Sequence, residues 1–322
     1  MTKAPDRPAT GPRLASVATE AFGLPLELPP GLLDHALRPA KAGELRAPTV
    51  VSVAAAPIGD WDPGTVERVR EVRHQDRIVW SVDADPGRGF RMQSAGHVTM
   101  VVSGDGLSIR CAPAGGGSDS GWQALVTAQA LPLAATLRGL EVFHASAVSL
   151  DGRALLFCAS RGGGKSSLAA QLVLRGAGLL SDDAVAIDEQ LVAHPSTGAL
   201  HLRPAELARL GQAARDELQI GSLTRLDGRT VGSVPPAGAA ALDCVCLLER
   251  SAADGPAMEL LEAVDPVLLL GSTFNLSVRS PDRLLRHLEF CARIAAQVRV
   301  FRLLVRPGVD AVALADEVLE CL

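Results

Sequence analysis

Residues 154–188 read ALLFCASRGGGKSSLAAQLVLRGAGLLSDDAVAID, and the succession of textures within them sets the fold class. The run 154–158 is short, apolar and bounded by a turn signal, as a buried strand is. Three glycines follow, and then 166–176 carries apolar residues at helical spacing and closes on Arg175-Gly176. The next apolar run ends in Ser181-Asp182-Asp183, and AVAID after it reads as another strand. Strand, glycine turn, helix, strand is the unit from which α/β layered domains are built.

The segment Ala159-Ser160-Arg161-Gly162-Gly163-Gly164-Lys165-Ser166 fits the phosphate-loop pattern, with alanine where the leading glycine usually stands. Glycines let successive backbone N–H groups turn inward around an anion. The following helix offers that anion its positive end. Lys165 is placed to reach β and γ phosphates, and the Ser166 hydroxyl suits Mg²⁺. Lysine occurs only at Lys3, Lys41 and Lys165, arginine supplying the other 28 of 31 basic residues, so the one lysine after position 41 falls inside this motif.

Seventeen residues beyond the lysine, Asp182-Asp183 ends an apolar run. Standing alone, such a pair is usually a solvated turn. One helix after a phosphate loop, one carboxylate can hold Mg²⁺ directly or through water, and the other can take or orient a hydroxyl proton. His144, twenty-one residues before the lysine, opens the candidate strand 144–150 beside the one that feeds the loop. His97, His194, His201 and His287 have no such companions and read as surface or structural.

Outward from this core, the 322 residues divide into about two domains. Residues 136–322 alternate strand and helix. The expected strands include 241–250 and 298–306. The expected helices include 203–211, 281–297, one around 265–274, and a closing amphipathic one after 309. The span 191–237 otherwise reads as loop-rich. Residues 1–135 read as a smaller, mixed, mainly β region. Its β-prone runs lie between 48 and 112, the span 13–45 is mixed, 114–122 is a connection, and 123–140 is helical with Pro132 as an interruption. The fold class is thus α/β, or α+β taken over both parts. A role for 1–135 in recognising a substrate or partner is an expectation with no motif behind it.

The composition excludes several classes. Net charge is -5, which argues against a nucleic-acid coat or a polybasic membrane anchor. Tyrosine is absent and aromatics are 3%, so stacking on bases or sugars does not dominate. Mean hydropathy is +0.21, yet no apolar run reaches the roughly 18 residues a membrane helix needs. The opening MTKAPDRPATGPRLAS has no apolar core, so no secretory signal is expected. Cys244 and Cys246 form a C-x-C pair on one face of a strand, with no second pair to complete a zinc site. Buried, reduced thiols and a cytoplasmic location are expected.

The run from Phe143 through Ile187 resembles the catalytic core of the HPr kinase/phosphorylase family, and is especially similar to the broader bacterial set of HPr-kinase-like proteins, some beside lasso-peptide pathways. A histidine before the loop, a helix ending in Arg-Gly and an Asp-Asp pair closing the next strand match without a gap. The likeness is strong over about 140–190, weaker but consistent through the rest of the C-terminal half, and does not extend to 1–135. It implies a P-loop domain related to phosphoenolpyruvate carboxykinase, binding ATP through residues 159–166. By that resemblance Lys165 holds the β and γ phosphates, and Ser166 with Asp182 serves Mg²⁺. Asp183 is the base toward a serine hydroxyl, His144 orients or handles the proton, and Ser167 lies near the nucleotide as a secondary contact. The expected acceptor is a peptide or small protein, and a homo-oligomer is compatible because family members often assemble through this domain. A kinase of a small alcohol such as free serine, or a non-catalytic nucleotide-binding scaffold, are the alternatives. The family's later acidic, glycine-paired segment is replaced here by Leu200-His201-Leu202-Arg203-Pro204, which speaks against phosphorylase activity and against HPr as substrate. Arg203, Arg279 and Arg283 are candidates to approach phosphate, each weighed against a plain surface role.

Overall fold

The computed structural model describes residues 17–33, 37–39, 47–117, 120–160, 162–224, 228–252, 257–274 and 277–322. Three sheets organise them.

The strand Arg153–Cys158 lies in the interior of a nine-stranded sheet. It runs antiparallel to Ala145–Leu150 on one side and parallel to Ala240–Arg250 on the other. Arg299–Val305 continues the parallel set beyond Ala240–Arg250. Period-two alternation divides the side chains between two layers. Leu155, Phe157, Cys244 and Cys246 face one core, together with Leu168 and Leu172 of the helix Lys165–Val173 and Leu314 and Val318 of the helix Ala311–Cys321. Leu156, Cys158 and Val245 face the opposite core, with Phe290, Cys291 and Ile294 of the helix Pro281–Gln297. Helices on both faces of a partly parallel sheet make this half a layered α/β structure. The C-x-C cysteines do share a face, and all six cysteines are unpaired, with only Cys321 exposed.

The preceding part carries its own nine-stranded sheet. In order across it lie Arg38–Pro39, Val17–Ala21, Leu24–Leu28, Thr49–Val53, Ser108–Pro113, Val98–Val102, Gly89–Ser94, Arg77–Asp85 and Glu67–His74. The pairings are antiparallel except for two, Leu24–Leu28 with Thr49–Val53 and Thr49–Val53 with Ser108–Pro113. The expectation of a small β region at 48–112 is therefore too modest. The span read as mixed contributes strands at Val17–Ala21 and Leu24–Leu28, and the charged segment Glu67–His74 is a full edge strand. Its exposed, charged side chains suit an edge and hide it from hydrophobic patterning.

Residues 123–137 are helical as expected, but the stretch Val126–Ala130 widens to π geometry just before Pro132. Proline has no N–H to return to the preceding turn, and the helix adjusts around it. Leu131 and Leu133 of this helix pack with Leu26, Met92 and Met100 of the first sheet, and Val142 and Ala186 of the second sheet belong to the same core. The span read as loop-rich holds a three-stranded sheet of Ala199–Leu202, Thr230–Ser233 and Ile220–Thr224. The helix expected at 203–211 is a single turn, Pro204–Leu207, followed by a second short helix, Gln212–Glu217. The helix around 265–274 is likewise one turn, Val267–Leu270. Among the described residues, no helix is long and apolar enough to cross a membrane.

Candidate functional site

At the end of the strand Arg153–Cys158 the chain turns through the glycines. Gly162 and Gly164 have φ of 84° and 97°, a region that residues with a Cβ rarely enter. Gly163 N–H donates to the Ser160 carbonyl at 3.0 Å, closing the turn. Gly164 stands at the N-cap of the following helix, and no side chain caps that end. Gly162 through Ser166 line a cleft of about 760 Å³. Ala159 and Ser160 support the loop from behind through their carbonyls. Arg161 lies outside the described residues.

Lys165 is only 7% exposed. Its Nζ donates to the Ala159 carbonyl at 3.0 Å and stands 3.4 Å from His144 Nε2. Burial lowers the lysine pKa from its usual value, against the opposing pull of Asp183 and Asp182. His144 Nδ1 lies 2.9 Å from the Asp183 carbonyl oxygen. A carbonyl only accepts, so Nδ1 carries the proton and Nε2 presents its lone pair toward the lysine. Burial, with Lys165 nearby, lowers the histidine pKa, which agrees with that neutral tautomer.

The two aspartates separate sharply. Asp182 is buried, and its Oδ1 accepts from Ser146 Oγ at 2.5 Å and from Ser166 Oγ at 2.9 Å. Its Oδ2 accepts from the His201 backbone N–H at 2.9 Å, with His201 Nδ1 at 3.3 Å. Burial works to raise its pKa, but the His201 ring and the Ser146 hydroxyl outweigh it and hold the carboxyl below the usual range. Asp183 has a left-handed backbone, φ 77°, which turns its side chain into the cleft. Arg229 grips that carboxylate with two bonds, Nη2 to Oδ2 at 2.9 Å and Nη1 to Oδ1 at 3.2 Å. Backbone strain of this kind recurs where a side chain must be aimed.

The loop, Lys165, Ser166, Asp182, Asp183 and His144 thus meet at one place. Ser167 turns instead to Glu206, donating at 2.6 Å, while the other Glu206 oxygen accepts from Arg203 N–H at 2.8 Å. Arg203 and Arg279 line the cleft. Arg283 does not. It is buried in a two-bond pair with Glu141, both at 2.7 Å, and His287 Nδ1 lies 2.6 Å from the same carboxylate. Arg283, a candidate weighed against a plain surface role, takes neither place, because its charge is satisfied inside the protein. His201, read as surface or structural, belongs to the aspartate network. Ser146 and Arg229 carried no signal in the sequence, since each meets its aspartate across 36 and 46 residues.

Among the described residues no three His, Cys, Asp or Glu side chains cluster as a metal site. Ser166 lines the cleft, and the closed-off Asp182 carboxylate accepts its hydroxyl from behind. That pair fits Mg²⁺ met by the hydroxyl, with the carboxylate reaching it through Ser166 or water and phosphate completing the shell.

No family model and no curated protein matches the chain. Solved structures do, among them the Hpr(Ser) kinase/phosphatase from Coxiella burnetii, at 15% identity over 56% of this chain and 94% of that one, with a TM-score of 0.30. A TM-score so low is too slight to rest any residue's role upon.

Proposed function

We propose that this chain is an ATP- and Mg²⁺-dependent kinase that transfers the γ-phosphoryl group to a serine hydroxyl of a peptide or small protein. The observation that carries the proposal is the meeting, at one cleft, of an uncapped glycine loop, a buried lysine and the Asp183 carboxylate held by Arg229, with Asp182 buried behind Ser166.

Main-chain amides of Gly162 to Ser166 would bind the phosphates at the positive end of the helix. Lys165 would reach the β and γ oxygens, exchanging its Ala159 contact for them. Asp182 and Ser166 would hold Mg²⁺, whose chemistry is to neutralise charge on the transferring group. Asp183 would receive the proton of the serine hydroxyl as its oxygen bonds to the γ phosphorus and the bridge to the β phosphate breaks, leaving ADP. His144 Nδ1–H, on the Asp183 carbonyl, would keep that residue in its unusual backbone conformation. Arg229 would orient its carboxylate.

The test is transfer from γ-labelled ATP, with Mg²⁺, to serine peptides by the full chain. Lys165→Ala and Asp183→Asn should each abolish the product, while Asp183→Asn still binds nucleotide. Full activity of Asp183→Asn would refute the base role. Nucleotide binding by the wild type with no transfer to any hydroxyl would favour a scaffold.

A further inference from the structure

We infer that the acceptor is an acidic peptide, its serine flanked by carboxylates that Arg70 reads. This rests on the kinase proposal only in taking the cleft's second occupant to be a serine peptide.

The cleft is built from both large sheets. The loop, His144 and Asp183 come with the second, whereas Arg70 comes from the edge strand Glu67–His74 of the first, and Gln129 from the helical segment packed on it. Lys165, Arg70, Arg203, Arg229 and Arg279 line it against two carboxylates, Asp183 and Glu206. Counted over the described lining side chains alone, that is five cations to two carboxylates, with Arg229 and Arg279 themselves engaged. Both lining carboxylates are already engaged, Asp183 by Arg229 and Glu206 by Ser167 and the Arg203 N–H.

The arginines divide by position. A Cβ at Gly162 would lie 3.4 Å from Arg203 Nη2, so Arg203 stands over the glycine loop, where phosphate charge is expected. Arg70 is on the other sheet and away from the loop in sequence and strand. Its neighbours show that its state is not a property of the strand. Arg68 pairs with Asp83 and Glu71, and Arg73 pairs with Glu71. Among the described residues Arg70 has no such partner, and it points to the cleft. An unneutralised guanidinium on a recognition wall is suited to a carboxylate, through a planar two-bond fork. A cleft with a surplus of positive charge also steers acidic chains and repels basic ones.

The experiment reads binding and not transfer, so the two proposals can fail separately. Fluorescently labelled serine peptides of one length would be titrated by anisotropy with the full-length protein and a Mg²⁺-bound non-hydrolysable ATP analogue. One peptide carries Asp and Glu beside the serine, a second their amides, and a third lysines. The acidic peptide should bind about two- to fivefold more tightly than the amide one, the scale of an exposed charge pair such as Arg70 can form. Arg70→Glu should erase or reverse that preference, and Arg70→Lys should keep part of it. Nucleotide affinity should be unchanged in both, which also reports that the variants are folded. Equal binding of the acidic and amide peptides, or an Arg70→Glu protein that keeps the preference, would overturn the inference. Acidic-peptide binding that depends on Arg70 but yields no phosphopeptide with ATP would sustain it while sinking the kinase proposal.

Discussion

A single methyl group at position 163 tests whether the turn seen here is the one that binds nucleotide. In Gly163→Ala the new Cβ would stand 2.5 Å from the Ala159 Cβ and 3.0 Å from the Ser160 carbonyl oxygen. Non-bonded carbons sit at about 3.5–4.0 Å, so the turn must open by roughly 1 Å. The Ala159 methyl is fixed to the backbone and cannot rotate aside. Opening also stretches the Gly163 N–H bond to Ser160, which is 3.0 Å long. Overpacking of this kind costs about 1–3 kcal/mol, and a weakened hydrogen bond about 1 kcal/mol. If the closed turn is what grips phosphate, some 2–3 kcal/mol of that strain must be met on binding, weakening affinity roughly 30- to 150-fold. The measurement is anisotropy of a fluorescent ATP analogue with Mg²⁺, alongside thermal melting to show that the fold persists. The structure also supplies the rescue. Ala159→Gly removes the opposing methyl and leaves only the 3.0 Å approach to Ser160. The double variant should therefore recover most of the affinity, a coupling of about 1–2 kcal/mol. Wild-type binding by Gly163→Ala, or no recovery with Ala159→Gly, would refute the account of the loop.

Asp182→Asn should lower stability by about 2–4 kcal/mol, because an amide cannot accept from Ser146, Ser166 and the His201 N–H together. Scanning fluorimetry should show a fall in Tm of roughly 3–6 °C for a chain of 322 residues, and an unchanged Tm would place the carboxylate outside this network. Arg283→Met leaves Glu141 buried with only His287 and should cost about 3–5 kcal/mol in chemical denaturation, with nucleotide affinity intact. A marked loss of nucleotide affinity in that variant would restore Arg283 as a phosphate contact. Burial pushes the Cys111 and Cys291 thiols up to about 12 and Cys158 to about 11, so at pH 8 iodoacetamide should modify only Cys321 in the folded protein and all six cysteines after denaturation. Rapid labelling of Cys111 or Cys291 without denaturant would contradict the packing of either core.

The strand Arg153–Cys158, the helix after it and the positive-φ glycines between were readable in sequence because each is a local property. Alternation along Leu155, Leu156 and Phe157, helical spacing at Leu168 and Leu172, and the freedom of a residue without Cβ all act within a few positions. Glu67–His74 escaped detection for the converse reason. An edge strand needs partners for its backbone but little apolar surface, and its pairing with Arg77–Asp85 leaves charged side chains in water.

Taken alone, the sequence determined that a glycine turn joins a buried strand to a helix, and that a lysine, a hydroxyl and an aspartate pair follow at fixed spacing. Only the tertiary structure decided what each of these faces. It set Asp182 among Ser146, Ser166 and His201, gave Asp183 to Arg229, withdrew Arg283 to Glu141, and brought Arg70 from the other sheet to the cleft. The physical reason is range. Backbone preference is written over a few neighbouring residues, whereas a charge finds its partner only after the chain has folded back on itself.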